Sequence, residues 1–230
     1  MKKVFNIKNL YNFVFATFVL SAIYVSIRIV ASPSTHITET VIRVKSDYIM
    51  LLLQCLFGMG AMLLPSLLNK KIGITIPTSM LIIYALFLYS SIYLGDVRAF
   101  FYKVPHWDTI LHTFSGVALG ALGFSVVSLL NKSKNIQMSL SPAFVAIFAF
   151  CFALSLGTIW EVYEFVMDLF LDSNMQTYAL ENGTPLIGQA ALVDTMKDLI
   201  VDALGAFSIS VIGYISLKHE KGWLSRFQLK

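Results

Sequence analysis

Six long apolar runs, separated by short polar stretches, organise this chain. They cover roughly residues 11–31, 48–69, 74–95, 109–131, 142–171 and 195–217. A helix of about 20 apolar residues crosses the hydrocarbon core of a bilayer. The apolar residues are gathered into these runs, whereas a helix facing water on one side would carry them at amphipathic spacing. The pattern predicts an all-α fold: a polytopic membrane helix bundle of about six transmembrane helices, with residues 1–230 forming a single integral membrane domain. The fifth run exceeds what the bilayer needs, so it tilts or projects beyond it. The basic segment Met1–Lys8 followed by an apolar run has the opening of a signal peptide. The run is long, however, it contains Arg28, and Ser32-Pro33 is a poor cleavage context, so an uncleaved first span is expected.

Composition agrees with a membrane chain. Hydrophobic residues make up 57% and charged residues only 13%, and mean hydropathy is +0.74; a soluble domain carries about 25% charged residues. The net charge of +4 does not call for a nucleic-acid partner, because the basic residues sit in short connections between spans. Lys2, Lys3, Lys8, Lys70, Lys71, Lys132, Lys134, Lys218, Lys221, Arg226 and Lys230 all fall on one side of a six-span topology. The other side holds Arg43, Lys45, Arg98 and Lys103. The positive-inside rule then makes both termini cytoplasmic. Trp223, Leu224 and Phe227, set among basic residues of the tail, suit the headgroup layer of an anionic leaflet. Cys55 and Cys151 lie inside apolar runs and read as small buried hydrophobes, not a disulfide.

The acidic residues show the opposite bias. Of them, Glu220 alone lies in a predicted cytoplasmic segment. Three sets are unusual for membrane helices. Asp108 and His112 are four residues apart. Glu161, Glu164 and Asp168 follow an i, i+3, i+7 pattern. Asp194, Asp198 and Asp202 make a stripe at four-residue spacing, about 12 Å long at 1.5 Å per residue. By the topology each stripe enters the bilayer from its outer surface, and their convergence on one site is the expectation. Gly116 and Gly120 continue the first stripe, and Ala206 the third, as small residues that let helix backbones approach.

Simpler roles account for some of these residues. Asp194 and Asp108 sit where helix N-caps are expected. Asp172, Glu181, His36, His106 and His219 fit loops in water, and Trp107 fits the membrane interface. Capping cannot explain Glu161, Glu164 and Asp168 near a helix C-terminus, where the macrodipole disfavours carboxylates. Nor can it explain Asp198 and Asp202 beyond a first turn. Each ionised carboxylate in lipid costs about 3 kcal/mol on insertion scales. A compensating cation, protons or a water-filled cavity is therefore required.

Carboxylates with an imidazole can ligate a divalent metal. The candidate ligands are Asp108, His112, Glu161, Glu164, Asp168, Asp194, Asp198 and Asp202, and the candidate ions magnesium, manganese or zinc. His112 or Glu164 could also act as a general base. An outer-leaflet metal site of this kind would serve hydrolysis or group transfer on a lipid or lipid-linked substrate. The same residue types could form a proton or cation relay in a transporter, though the inner halves of the spans are nearly free of ionisable groups and no inverted repeat is evident. A non-catalytic envelope or resistance protein that captures a ligand at the outer surface is the third reading. In the first or third case the connection from Asp172 to Val193 could serve as a lid.

The order Asp108-x3-His112, Trp160-Glu161-x2-Glu164 and Asp194-Thr195-x2-Asp198-x3-Asp202-x2-Gly205-Ala206 resembles the YjdF-like family of small bacterial membrane proteins, itself distantly similar to the VanZ-like group associated with glycopeptide resistance. The resemblance covers roughly residues 95–210. It implies a multi-pass protein of the bacterial plasma membrane and no particular reaction. His112 follows Leu111 where the family pairs glycine with histidine. The serine motif of rhomboid proteases, the PSGH of lipid phosphatases and the signature of CDP-alcohol phosphotransferases are absent from the sequence.

Overall fold

The structure is a computed structural model and describes residues 6–33, 43–131, 140–180 and 183–229. Lys2, Lys3, Lys132, Lys134 and Lys230, together with His36 and Glu181, lie outside the described residues. Among the described residues, six helices are long and apolar enough to cross a membrane and no strand occurs. They are α1 (Ile7–Ala31), α2 (Lys45–Ile72), α3 (Thr78–Leu88) with its π-helical continuation Tyr89–Val97, α5 (Trp107–Asn131), α6 (Pro142–Leu171) and α7 (Val193–Lys218). A single turn, α4 (Phe100–Lys103), separates the π-helical segment from α5. The fold is an all-α polytopic bundle, as the apolar runs predict.

Local sequence fixes several helix ends. The Asn6 side chain accepts a hydrogen bond from the backbone N–H of Lys8 and caps α1. Asp47 accepts one from the N–H of Val44 at the start of α2 (2.7 Å). Pro142 opens α6, where a missing N–H costs nothing, and the Ser141 hydroxyl accepts from the N–H of Phe144 (3.2 Å). The third span begins at Thr78, several residues later than the apolar run does. Pro77 disfavours helical backbone at the residue before it, so the helix starts only after it. The 30 residues of α6 measure about 45 Å, well over the ~30 Å hydrocarbon core.

The chain divides into two compact units. The first comprises residues up to Leu67, Leu81–Trp107 and Glu164–Asp194. Its core gathers Val14 and Phe18 of α1, Cys55 and Met62 of α2, and Ala85, Leu88 and Ile92 of the third span. Pro65 lies inside α2 and cannot donate to the carbonyl of Ala61. The Tyr84 hydroxyl donates to that carbonyl instead (2.9 Å), so the freed acceptor is satisfied within the core. The Trp107 indole donates to the carbonyl of Ser90 in the π-helical segment (3.3 Å); the residue read as an interface aromatic is also tied to the fold.

The second unit comprises Leu68–Met80, Asp108–Tyr163 and Thr195–Lys230. Phe124 and Val127 of α5 pack with Val145, Ala146 and Ala149 of α6, joined by Tyr214 of α7 and Leu224 of the tail. The tail is docked on this unit. Ser125 donates to the carbonyl of Phe227, Ser79 to that of Arg226 (2.8 Å), and the N–H of Trp223 to the Ser216 hydroxyl (3.0 Å). Trp223 itself is exposed, whereas Leu224 and Phe227 are half-buried.

Candidate functional site

The second unit contains a crossing of α5 and α7 that only small residues permit. A Cβ added to Gly116 would strike the carbonyl oxygen of Asp202, and one added to Gly205 would strike the carbonyl oxygen of Thr113. The two backbones therefore touch, and side chains one turn away are brought face to face. On α6, a Cβ at Gly157 would lie 2.5 Å from Oδ2 of Asp202. Three helices thus enclose the Asp202 carboxylate, which is 1% exposed, as is Asp198.

The Asp202 carboxylate meets two side chains of α5. Its Oδ1 accepts from the Ser115 hydroxyl (2.8 Å), and its Oδ2 lies 3.2 Å from Nδ1 of His112. The other ring nitrogen, Nε2, lies 3.7 Å from Oδ1 of Asp108. His112 is buried, whereas Asp108 is partly exposed. Asp108, His112 and Asp198 each offer a ligand atom, and these atoms all lie within 4.8 Å of one another. The imidazole therefore stands between one carboxylate that fixes its orientation and a pair that could share a cation with it. A hydrogen bond from Nδ1–H to Asp202 leaves Nε2 with its lone pair toward Asp108, the tautomer a ligating histidine needs.

Asp108 and Asp194 both stand at helix starts. Each is the second residue of its helix and lies in the first turn. There the positive end of the macrodipole favours a carboxylate. Asp198 and Asp202 lie one and two turns deeper, stacked on the same face of α7, where like charges four residues apart repel. Glu161 is buried on α6, one turn beyond Gly157 and on the same face.

Glu164, Asp168 and Asp194 belong to the first unit. Glu164 is buried on α6. Asp168 has a local explanation that its position near a helix C-terminus did not reveal. One of its oxygens accepts from the Ser173 hydroxyl (2.6 Å) and the N–H of Met175 (2.7 Å); the other accepts from the N–H of Gln176 (3.0 Å). The carboxylate anchors the connection that follows α6. That connection is further knitted by Asn174, which both donates to and accepts from the backbone of Ala179. A β-bridge joins Ala179 and Pro185.

The sequence reading missed Ser115, Gly157 and the packing role of Gly205. Ser115 is one turn beyond His112 on the Asp108 face, and Gly157 is one turn before Glu161. Both were legible as continuations of polar faces, but serine and glycine are ordinary residues in membrane helices.

A family model described as a predicted membrane protein (DUF2238) matches residues 10–219. The chain belongs to this family, and the YjdF-like resemblance fits it. An uncharacterized protein of Thermotoga maritima is 28% identical over 137 residues, covering 60% of this chain. The match spans 62% of that relative's own length. No solved structure matches.

Proposed function

We propose that this multi-pass membrane protein is a divalent-metal-dependent enzyme, with Asp108, His112 and Asp198 as metal ligands. The observation that carries the reading is the imidazole held at Nδ1 by Asp202, with Nε2 near Asp108 and with Asp198 completing a set of ligand atoms within 4.8 Å of one another. Carboxylate–histidine–metal arrangements are the usual way a ligating imidazole is oriented and made more basic. Electrostatics argues the same way. Three carboxylates around one imidazole keep excess negative charge even with the ring protonated, and two of them are 1% exposed. A divalent cation offsets that charge without protonating the ligands. The mixed oxygen and nitrogen donors favour manganese or zinc over magnesium.

Three protein ligands leave coordination positions open, the pattern of catalytic metal sites in contrast to closed structural ones. A metal held by these three residues would polarise a phosphoryl or carbonyl oxygen and lower the pKa of bound water. Asp108 is the partly exposed member of the set and marks the side from which a substrate enters. Its place in the first turn of α5, in a chain of six apolar helices, suits a lipid or lipid-linked substrate whose polar group lies at the membrane surface. The family resemblance and the charge bias of the connections support the bacterial plasma membrane, with the substrate approaching from its outer leaflet.

The test is metal analysis of detergent-purified protein together with lipid product analysis in cells. Wild type should carry about one manganese or zinc per chain, and Asp198→Asn should lose it while remaining folded. Cells expressing wild type but not Asp198→Asn should show an altered lipid or lipid-linked pool. Stoichiometric metal with no lipid change, but with cation flux in proteoliposomes that Asp198→Asn abolishes, would replace the enzyme by a transporter. Absence of metal after reloading would overturn the site itself.

A further inference from the structure

In the first unit, a groove of about 630 Å³ runs between α1 and the π-helical segment, within the size range of small-molecule sites. One wall is a single face of α1, with Phe13, Leu20 and Tyr24. Phe13 to Tyr24 spans about 16 Å of helix, roughly half of a ~30 Å hydrocarbon core and so about one leaflet deep. The other wall is the π-helical segment. Its wider turn brings Tyr89, Tyr93 and Val97, four residues apart, into one ridge facing the groove. The rings of Tyr89 and Tyr93 lie 5.1 Å apart, and that of Phe13 lies 5.6 Å from Tyr89.

The groove carries charge of one sign. Arg98 and Lys103 line it, both exposed, and no acidic side chain does among the described residues. Arg98 follows the last residue of the π-helical segment, and the Lys103 ammonium donates to its carbonyl (3.2 Å). The two cations are thus held at the end where the helix leaves the apolar run. An apolar, aromatic trough about 16 Å long, with two cations where the third span ends, matches an amphiphile with a hydrocarbon chain and an anionic head. We propose that this groove is a binding site for an anionic phospholipid, the chain lying against Leu20, Tyr89 and Tyr93 and the phosphate against Arg98 and Lys103. It is separate in its residues from the proposed metal ligands, so either assignment can fail without the other.

The experiment is native mass spectrometry of the full chain, released from detergent after exchange with phosphatidylglycerol or phosphatidylcholine of identical acyl chains. Wild type should retain one phosphatidylglycerol in preference to phosphatidylcholine. Each cation near an anionic headgroup is worth about fivefold in binding, so the double variant Arg98→Gln/Lys103→Gln should lose tenfold or more of that preference. Thr17→Trp, which fills the trough and leaves both cations, should lower retention of both lipids. Equal retention of the two lipids by wild type would overturn the proposal. So would undiminished preference in the double variant, or undiminished retention in Thr17→Trp.

Discussion

Two buried carboxylates, Asp168 on α6 and Asp202 on α7, would be ranked alike by composition and depth. Their surroundings differ in kind. Asp168 accepts two backbone N–H groups and a hydroxyl from the eight residues that follow it. Those donors are fixed by the covalent chain, and the carboxylate is accounted for as the anchor of a connection. Asp202 instead draws on Ser115 and His112 of a helix 87 to 90 residues distant in sequence. The imidazole it holds faces further carboxylates. The lesson is that burial alone does not mark a functional acid in a membrane helix. What marks it is the identity of its partners: local backbone donors point to architecture, and a shared histidine points to chemistry.

The comparison can be broken most severely at Asp198. Asp198→Asn removes a proposed ligand, and metal content by elemental analysis should fall by more than the 10- to 100-fold typical of losing an orienting partner, roughly to background. Asp202→Asn keeps the size of the side chain but not its charge. It should weaken metal affinity by about 10- to 100-fold, measured by competition with a chelator, since the imidazole is no longer fixed. Asp168→Asn should leave metal content unchanged. Its cost should appear as about 1–3 kcal/mol of local stability, from weakened charge-assisted bonds to N–H groups, read as faster proteolysis between residues 172 and 180. Ser115→Ala should have the smallest effect, about 1 kcal/mol in thermal stability with a modest loss of metal affinity. If Asp168→Asn and Asp202→Asn lowered metal content equally, the distinction drawn between them would fail.

The membrane fold was largely legible in the sequence because hydrocarbon imposes a simple rule: backbone polar groups must be satisfied within a continuous helix. Run length alone therefore located six helices. It could not show where Pro77 delays the third one, nor that its last nine residues adopt π-helical geometry, since neither leaves a mark on hydropathy. The candidate site was legible by depth and by helical face. Spacing put Asp108 with His112 and Asp198 with Asp202, but the meeting of the two pairs depends on the approach of α5 to α7 at Gly116 and Gly205. That is a matter of azimuth, to which a one-dimensional pattern is blind. Asp168 was grouped with the candidate ligands for the converse reason. Its partners are two backbone N–H groups and a nearby serine hydroxyl, which no motif records.

The most direct test of the central claim is elemental analysis of the purified, manganese- or zinc-reloaded protein as wild type, Asp198→Asn and Asp168→Asn in parallel. The account predicts about one metal ion per chain in wild type and Asp168→Asn, and background levels in Asp198→Asn. Wild type without stoichiometric metal, or Asp198→Asn retaining it in full, would contradict the assignment of Asp108, His112 and Asp198 as a metal site.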